Sequence, residues 1–336
     1  MTAAGPRPLS RGTLGWGILA TGGIAHAMAR DLVLHGHRVA AVGSRSPDRA
    51  RAFAAELGTA RWHDSYEGLV TDPEVDVVYV ATPHNLHAEN ALAAIEAGKH
   101  VLVEKAFTVN AREARSVVAA ARSRGVVVLE AMWTRFLPHM AYVRSVVARG
   151  DIGELRSVHA DHTQRLPSDP AHRLNDPALA GGALLDLGVY PLSFAHDLLG
   201  APSEVSAQAT RRDTGVEVSV ATVLRHADDT VSTSYSSMAT RGSNRATVLG
   251  TDGRIEIDAV WYAPTTVTVH DAADNVTGSF AEPVSGRGMQ YQASEVERLV
   301  AEGRLESPLL TTGASIAVME TMDRVRELIG VRFPGE

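Results

Sequence analysis

The sequence contains no cysteine, which excludes disulfide bonds, cysteine–zinc sites and a thiol nucleophile. It also lacks an excess of positive charge: the formal net charge of −7 argues against nucleic acid or an anionic membrane as the main partner. No apolar run approaches 18 residues, and the segment 1–11 has no hydrophobic core. We therefore expect no membrane span, no signal peptide and a cytoplasmic location.

The remaining composition is that of a globular protein. Hydrophobic residues make up 45% of the chain and charged residues 21%, so nothing indicates disorder. At 336 residues the chain is too long for one compact α/β layer, and two domains are expected.

A glycine-containing turn near the N-terminus predicts a dinucleotide site. The run 14–25 reads as a short buried strand that passes through small residues directly into a helix. Such a turn lets phosphates approach the backbone at a helix N-terminus, and it matches the usual G-x-G-x-x-G/A pattern except that Ala20 replaces the first glycine. An ordinary strand-to-helix turn is the alternative. The expected cofactor contacts here are Ala20, Thr21, Gly22, Gly23 and Ile24.

The end of the second predicted strand favours NADP(H) over NAD(H). A site for NAD places Asp or Glu about twenty residues after the glycines, but Ser44 and Arg45 stand there, with Arg49 one turn on. A hydroxyl and guanidinium groups suit a 2′-phosphate. Asp48 reads instead as an acid in the first turn of a helix, and a merely solvated Arg45 is the alternative.

Strand and helix patterns alternate up to about residue 150, which predicts a parallel sheet with helical crossovers. The predicted strands are Gly15–Leu19, Arg38–Gly43, Val75–Ala81, Lys99–Glu104 and Val126–Leu129, and the predicted helices are Ile24–Leu34, Pro47–Leu57, Asn85–Ala97 and Ala111–Arg124. Asn110 fits a helix N-cap, and Gly98 and Gly125 fit helix ends.

Extended segments dominate the second half of the chain, after a helix at Leu137–Arg149. These segments are Arg156–Gln164, Val205–Arg211, Glu217–Arg225, Thr230–Ser237, Arg245–Leu249, Gly253–Asp258 and Thr266–His270. A hairpin is expected at 250–253, and helices are expected at Gly182–Leu199, Met289–Glu302 and Ala314–Ile329. The fold class is thus an α/β Rossmann dinucleotide-binding domain followed by an α+β domain with a large, mostly antiparallel open sheet.

Two segments carry the candidate chemistry. Lys105 follows four strand residues at the carboxyl edge of the predicted sheet, where open α/β proteins bind ligands. Asp186 and Tyr190 lie four residues apart in a predicted helix and share one face. The alternatives are a solvated strand-exit lysine and an aspartate that only serves the helix. No metal site is predicted, because strand alternation separates His162 from His159 and Asp161.

These residues and motifs resemble the Gfo/Idh/MocA oxidoreductases over nearly the whole chain, above all the branch of dimeric dihydrodiol dehydrogenases and NADP-dependent D-xylose dehydrogenases. The resemblance rests on these segments: 16–18, 82–87, 104–105, 130–136, 181–190 and 330–334. It implies Lys105 and Tyr190 as the catalytic pair with Asp186 beside them. It also implies cofactor contacts from Thr82, Pro83, Asn85, His87, Glu104, Lys105, Trp133 and Arg135.

The resemblance also implies different roles for the two parts of the chain. Residues 1–133 would bind NADP, residues 134–311 would bind substrate and form the oligomer, and a C-terminal helix at 312–330 would pack back near the first domain. A homodimer, or a dimer of dimers, through the second sheet is expected. The family's Glu-Lys-Pro is Glu104-Lys105-Ala106 here, and the Lys105–Ala106 peptide bond is expected to be trans.

The expected reaction moves hydride between the nicotinamide and a carbohydrate-like substrate: a sugar, cyclic polyol or trans-dihydrodiol. Tyr190 would transfer the hydroxyl proton, and Lys105 would lower the tyrosine pKa toward the working range. An inositol dehydrogenase, a ketoreductase for nucleotide-linked deoxysugars and a non-catalytic NADP sensor remain the alternatives. Loops such as 162–177 would set substrate choice.

Overall fold

The structure, a computed structural model, describes residues 14–334 and Glu336. The predicted lack of a leader at 1–11 falls outside the described residues. Within them, the chain forms two sheets with helices packed on them.

The first sheet is six-stranded and parallel, as predicted. Its order is β3-β2-β1-β4-β5-β6, so β1 and β4 flank the point where the strand order reverses. Open α/β sheets bind ligands beyond the carboxyl ends of the strands at this point. The strands are β1 (Gly15–Leu19), β2 (Arg38–Gly43), β3 (Trp62–His63), β4 (Val77–Val80), β5 (His100–Glu104) and β6 (Val128–Ala131).

The helices around this sheet begin and end at residues with the expected local chemistry. The Asn110 side chain accepts a hydrogen bond from the Glu113 amide (2.9 Å), and Gly125 ends the helix at φ +65°. The five helices are α1 (Gly23–Leu34), α2 (Pro47–Glu56), α3 (Tyr66–Val70), α4 (His87–Glu96) and α5 (Ala111–Arg124). The short β3 and α3 were not predicted.

The second sheet is eight-stranded and mostly antiparallel, with β7 and β10 as its parallel pair. The predicted hairpin joins β11 to β12. Its strands are β7 (Leu155–Thr163), β8 (Glu204–Arg211), β9 (Glu217–Arg225), β10 (Val231–Ser237), β11 (Ala246–Gly250), β12 (Gly253–Ile257), β13 (Val267–Asp271) and β14 (Val276–Phe280). The fold class is therefore confirmed, and β14 is an addition to the prediction.

Four further helices follow in the described part of the chain: α6 (Pro138–Arg149), α7 (Val189–Leu199), α8 (Gln290–Ala301) and α9 (Thr312–Ile329). α7 packs on β7 and β10 of the second sheet, Tyr142 of α6 contacts Phe280 of β14, and α8 packs against α1. The segment Pro177–Leu199 is long and apolar enough to cross a membrane by length and composition alone, but 83% of its apolar window is buried, as in a core helix. α9 packs against α5 and β6 of the first sheet as well as against β8.

Candidate active site

A cavity of about 660 Å³ opens at the carboxyl edge of the parallel sheet, where the strand order reverses. Its size suits a dinucleotide cofactor and part of a substrate. Its lining residues come from three regions: Ala20, Thr21, Gly22, Gly23, Ile24, Ser44, Arg45, Ser46, Arg49 and Tyr66; Ala81, Thr82, Pro83, His84, His87, Glu104 and Lys105; Arg173, Asp186 and Tyr190.

The glycine turn leaves room for phosphates beside α1. A Cβ atom added to Gly22 or Gly23 would meet nothing within 4 Å, so the space next to the backbone is open. Gly22 caps α1 without a side-chain hydrogen bond, which leaves the first amides of the helix for an anion. Ala20 has φ +92°, a conformation that favours glycine, which explains why the usual fingerprint has glycine there. The turn therefore fits a dinucleotide pyrophosphate.

The residues after β2 that line the cavity offer a hydroxyl and cations, and none of them is a carboxylate. Ser44 is buried at the edge of the cavity, and the Arg45 guanidinium lies 6.0 Å from the centre of the Tyr66 ring. Asp48 is in the first turn of α2, as expected, and its carboxylate pairs with Arg51 at 2.5 Å.

Lys105, Asp186 and Tyr190 meet at the other end of the cavity. Lys105 Nζ donates to the main-chain oxygen of Asp186 (2.7 Å) and to its carboxylate (3.2 Å). The same Nζ lies 5.1 Å from the centre of the Tyr190 ring. The Tyr190 hydroxyl accepts a hydrogen bond from Trp133 Nε1 (3.0 Å). These contacts bring together three groups that stand 81 and 85 positions apart in the sequence.

Burial and neighbouring charges set the ionisation of these groups. Burial would lower the Lys105 pKa, but Asp186, Tyr190 and Glu104 outweigh it, and the pKa rises above its ordinary value. Burial would raise the Asp186 pKa, but Lys105, His84 and Arg173 hold it well below its usual range. Lys105 and Asp186 therefore form a charged pair.

The expectation that the Tyr190 pKa falls toward the working range was wrong. Burial raises the pKa of Tyr190, and the Lys105 cation offsets this only in part. Lys105 Nζ is hydrogen-bonded to Asp186 and lies over the tyrosine ring. Tyr190 is a neutral phenol in this arrangement.

Glu104 lies beneath this cluster. Its carboxylate accepts hydrogen bonds from the Tyr79 hydroxyl and from the Lys105 amide (3.2 Å), and burial raises its pKa to about 7. The Lys105–Ala106 peptide bond is cis, so the expected trans bond was wrong. That expectation rested on the rarity of cis bonds before residues other than proline, and it did not consider the buried surroundings of this bond. There the Ala106 carbonyl lies 2.8 Å from His87 Nδ1.

Three of the expected cofactor contacts lie outside the cavity lining. Asn85 Nδ2 donates to the carbonyl of Ala178 (3.3 Å). Trp133 reaches the site through the Tyr190 hydroxyl. The buried Arg135 pairs with Asp197 at 2.7 Å and donates hydrogen bonds to Ser193, so its guanidinium is engaged within the protein.

Sequence reasoning did not single out five lining residues: Ser46, Tyr66, Ala81, His84 and Arg173. Ser46, Ala81 and His84 are adjacent to predicted contacts and could have been found from those motifs. Tyr66 comes from α3, which was not predicted. Arg173 lies in the loop after β7, which was expected to set substrate choice, but no pattern singled out this residue. No group of histidine, aspartate or glutamate suited to a metal ion occurs among residues 14–334 and Glu336.

Comparison with known proteins agrees with this geometry. Residues 14–132 match the oxidoreductase family with an NAD-binding Rossmann fold, and residues 140–256 match the GFO/IDH/MocA C-terminal domain. The chain is 37% identical over 331 residues to trans-1,2-dihydrobenzene-1,2-diol dehydrogenase of Bos taurus, covering 96% of this chain and 98% of the relative. It is 36% identical over 367 residues to D-xylose 1-dehydrogenase (NADP(+)) of Hypocrea jecorina, covering 96% and 93%.

A solved structure is also similar to this chain over nearly its whole length. The 3-ketoreductase KijD10 from Actinomadura kijaniata, in complex with NADP and TDP-benzene, is similar with a TM-score of 0.84 and 29% identity over 94% of this chain and 98% of that one. The chain belongs to the Gfo/Idh/MocA family of oxidoreductases and carries its NAD-binding Rossmann domain.

Proposed function

We propose that this protein is an NADP-dependent dehydrogenase or reductase acting on a secondary alcohol, ketone or hemiacetal of a sugar, cyclic polyol or trans-dihydrodiol. The observation that carries the proposal is the meeting of Lys105, Asp186 and Tyr190 at the end of a cavity whose other end has the glycine turn. The relatives named above act on compounds of these classes, as their names state.

NADP(H) fits the residues that line the cavity. The open space beside Gly22 and Gly23 would take the pyrophosphate, and Ser44, Arg45 and Arg49 would bind the 2′-phosphate. Thr82, Pro83, His87 and Glu104 would line the path toward Lys105. When bound, the cofactor supplies the nicotinamide carbon that accepts or releases hydride.

Tyr190 is the group that we assign to proton transfer. Its hydroxyl oxygen accepts from Trp133 Nε1, so its own proton stays available for an oxygen of the substrate. Because burial favours the neutral phenol, Tyr190 is ready to donate a proton to a ketone, and it takes the proton back when an alcohol is oxidised. No metal ion is needed for this step.

Lys105 and Asp186 support that proton transfer. The Lys105 cation would stabilise negative charge on the phenolate and on the substrate oxygen. Asp186 holds the lysine ammonium group through two hydrogen bonds and so fixes its position. A protein that only sensed NADP would have no use for this arrangement, which favours an enzyme over a sensor.

In this proposal the two halves of the chain have different roles. Residues 1–133 bind the cofactor, residues 134–311 bind the substrate and form the oligomer, and the helix at 312–330 packs back on the first domain. The proposed assembly is a homodimer, or a dimer of dimers, through the uncovered face of the second sheet. A cytoplasmic location, with its supply of NADP(H), completes the proposal.

A substrate panel tests the proposed function. Initial rates are measured with NADP⁺ and with NAD⁺ against aldoses, inositols, cyclic trans-diols and, in the reverse direction, nucleotide-linked ketosugars. We expect NADP-dependent turnover of at least one class. Binding of NADPH without turnover of any class would favour the sensor instead.

A further inference from the structure

Two arginines, in the loops that follow β7 and β10, have charges that the proposed reaction does not use. Arg173 lines the cavity beside Asp186, and Arg241 lies in the loop that joins β10 to β11. We propose that these two arginines form a subsite for an anionic group on the substrate, a carboxylate or a phosphate. This inference rests on the proposed function and narrows its substrate class.

The charge of Arg173 is only partly balanced. Its Nη2 atom lies 3.7 Å from an Asp186 carboxylate oxygen, which is too far for a hydrogen bond. The same oxygen lies 3.2 Å from Lys105 Nζ, so one carboxylate faces two cations. The Arg173 side chain is 46% exposed, which leaves its remaining donors open to a ligand.

The backbone that presents Arg173 is held in place from inside its own loop. Asn175 Nδ2 donates to the carbonyls of Pro167 (2.9 Å) and Asp169 (2.7 Å), and the Leu174 side chain is buried. A loop built in this way loses little backbone entropy when a ligand binds. The backbone position of Arg173 is thus set before a ligand arrives.

The Arg241 loop is anchored to the end of β7. The Asp161 carboxylate accepts hydrogen bonds from the amides of Asn244 and Arg245, each at 2.9 Å. Thr163 Oγ1 accepts from the Gly242 amide at 2.6 Å, and Asn244 Nδ2 donates to the Thr163 carbonyl at 3.0 Å. These bonds hold the loop beside the strand end that carries His162.

The loop that carries Arg241 therefore lies beside a strand end that contacts the tyrosine. The His162 ring stacks on Tyr262 at 3.7 Å and meets the Tyr190 ring edge-on at 4.7 Å. Burial raises the pKa of Tyr262 to about 12, and the Arg241 charge offsets this in part. Arg241 is exposed, and no carboxylate among residues 14–334 and Glu336 pairs with it.

The positive charge of these two loops contrasts with the net charge of the whole chain, which is −7. Arginines bind carboxylates and phosphates through charge-assisted hydrogen bonds, which favour a charged substrate over its neutral analogue. A neutral sugar or diol would leave Arg173 with only its distant contact to Asp186 and Arg241 without a carboxylate from the described part of the chain.

The test compares matched sugars that differ in charge: D-glucose, D-glucuronate, glucose 6-phosphate and UDP-glucose, each with NADP⁺. We expect kcat/KM to be about 10- to 100-fold higher for at least one charged sugar than for glucose. Where turnover is too slow, calorimetric binding of the same sugars to the NADP-loaded protein gives the comparison. Glucuronate tests recognition of a carboxylate, glucose 6-phosphate that of a monophosphate, and UDP-glucose that of a nucleoside diphosphate.

Variants locate the subsite. Arg173→Gln and Arg241→Gln should each lower the charged-to-neutral ratio about tenfold, and higher salt should lower it in the wild type. Arg124→Gln, at the exposed end of α5, is the matched control and should keep the wild-type ratio.

Turnover of neutral sugars with no preference for any charged one, or equal losses on both kinds of substrate, would overturn this inference alone. Absence of turnover on every sugar, polyol and diol, with NADP bound, would count against the proposed function itself.

Discussion

At the scale of single residues, the cavity lining after β2 accounts for the proposed cofactor preference. Arg45 and Arg49 supply guanidinium groups, and Asp48 is engaged with Arg51. Arg45→Ala should weaken NADPH binding by about 1.5–3 kcal/mol and leave NADH binding little changed, because NADH lacks the 2′-phosphate. Fluorescence titration with both cofactors measures the two affinities. Equal losses for both would refute the role of Arg45.

The sequence located the catalytic candidates because each has a local signal. Lys105 ends a buried strand, and Asp186 and Tyr190 have helical spacing in a segment of small residues. The ionisation of Tyr190 had no such signal. It depends on how deeply the ring is buried and on which atom Lys105 Nζ contacts, and both follow from tertiary packing. Arg173 was missed for the same reason, since a loop without periodicity brings it to the cavity.

At the scale of elements, a buried carboxyl supports the turn that carries Asp186. Glu217 on β9 accepts a hydrogen bond from the Leu184 amide (3.1 Å), and its side chain fills the space in which a Cβ on Gly182 would lie. Residues Leu184–Gly188 form a π-helical turn before α7. Sequence spacing predicted one continuous helix from 182, because it could not include this contact with a distant strand.

Glu217 should also make stability depend on pH. Burial raises its pKa to about 7, and backbone hydrogen bonds, including the one from Leu184, lower the pKa only in part, as do the Arg211 and Arg326 charges. The folded state therefore holds a proton that the unfolded chain releases near its ordinary value of 4.5, so the free energy of unfolding falls as pH rises from about 4.5 to 7. The contribution of this one group is up to about 3 kcal/mol.

The neutral variant Glu217→Gln tests this. As pH rises from 4.5 to 8, the free energy of unfolding of this variant should increase relative to that of the wild type. Chemical denaturation at each pH measures both. Ser219→Ala, a buried hydroxyl on the same strand, is the control and should follow the wild-type slope. Parallel curves for Glu217→Gln and the wild type would show that Glu217 does not hold this proton.

Among the strands, the sequence predicted those with apolar runs or clear alternation and missed those without. β1 and β4 are buried along their whole length, which gives continuous apolar runs. β14 is half-exposed at the edge of the second sheet, and β3 has two residues, so neither carries a pattern strong enough to detect.

At the scale of the whole molecule, the second sheet has a face without helices. Along β9, Val220, Thr222 and Leu224 face the core, whereas Val223 is 52% exposed, as is Tyr235 on β10 at 43%. An exposed apolar patch on a broad sheet suits a second copy of the same sheet. We therefore expect the wild type to be a dimer, or a dimer of dimers, at micromolar concentration.

Light scattering during size exclusion measures the assembly. Val223→Asp should shift the protein toward the monomer, because it would bury a charge at the contact. Leu328→Asp, an equally exposed apolar position at the end of α9, should leave the mass unchanged. A wild type that elutes as a monomer would contradict the proposed interface.

The proposed catalytic pair joins both halves of the molecule, since Lys105 follows β5 of the parallel sheet and Tyr190 lies on α7. Lys105→Met should impair turnover about as severely as loss of the tyrosine hydroxyl, and it should raise the pH at which Tyr190 becomes active as a base. The two effects should be far from additive, because both groups act on one substrate oxygen.

The most direct test is the turnover of Tyr190→Phe with NADP⁺ and the best substrate of the panel. The change removes only the hydroxyl, so folding and NADPH affinity should stay as in the wild type while kcat falls about 10²–10⁴-fold. Tyr142→Phe, on α6 outside the cavity, should keep normal turnover. If Tyr190→Phe retains near-normal kcat, Tyr190 has a structural role, and the proposed mechanism is wrong.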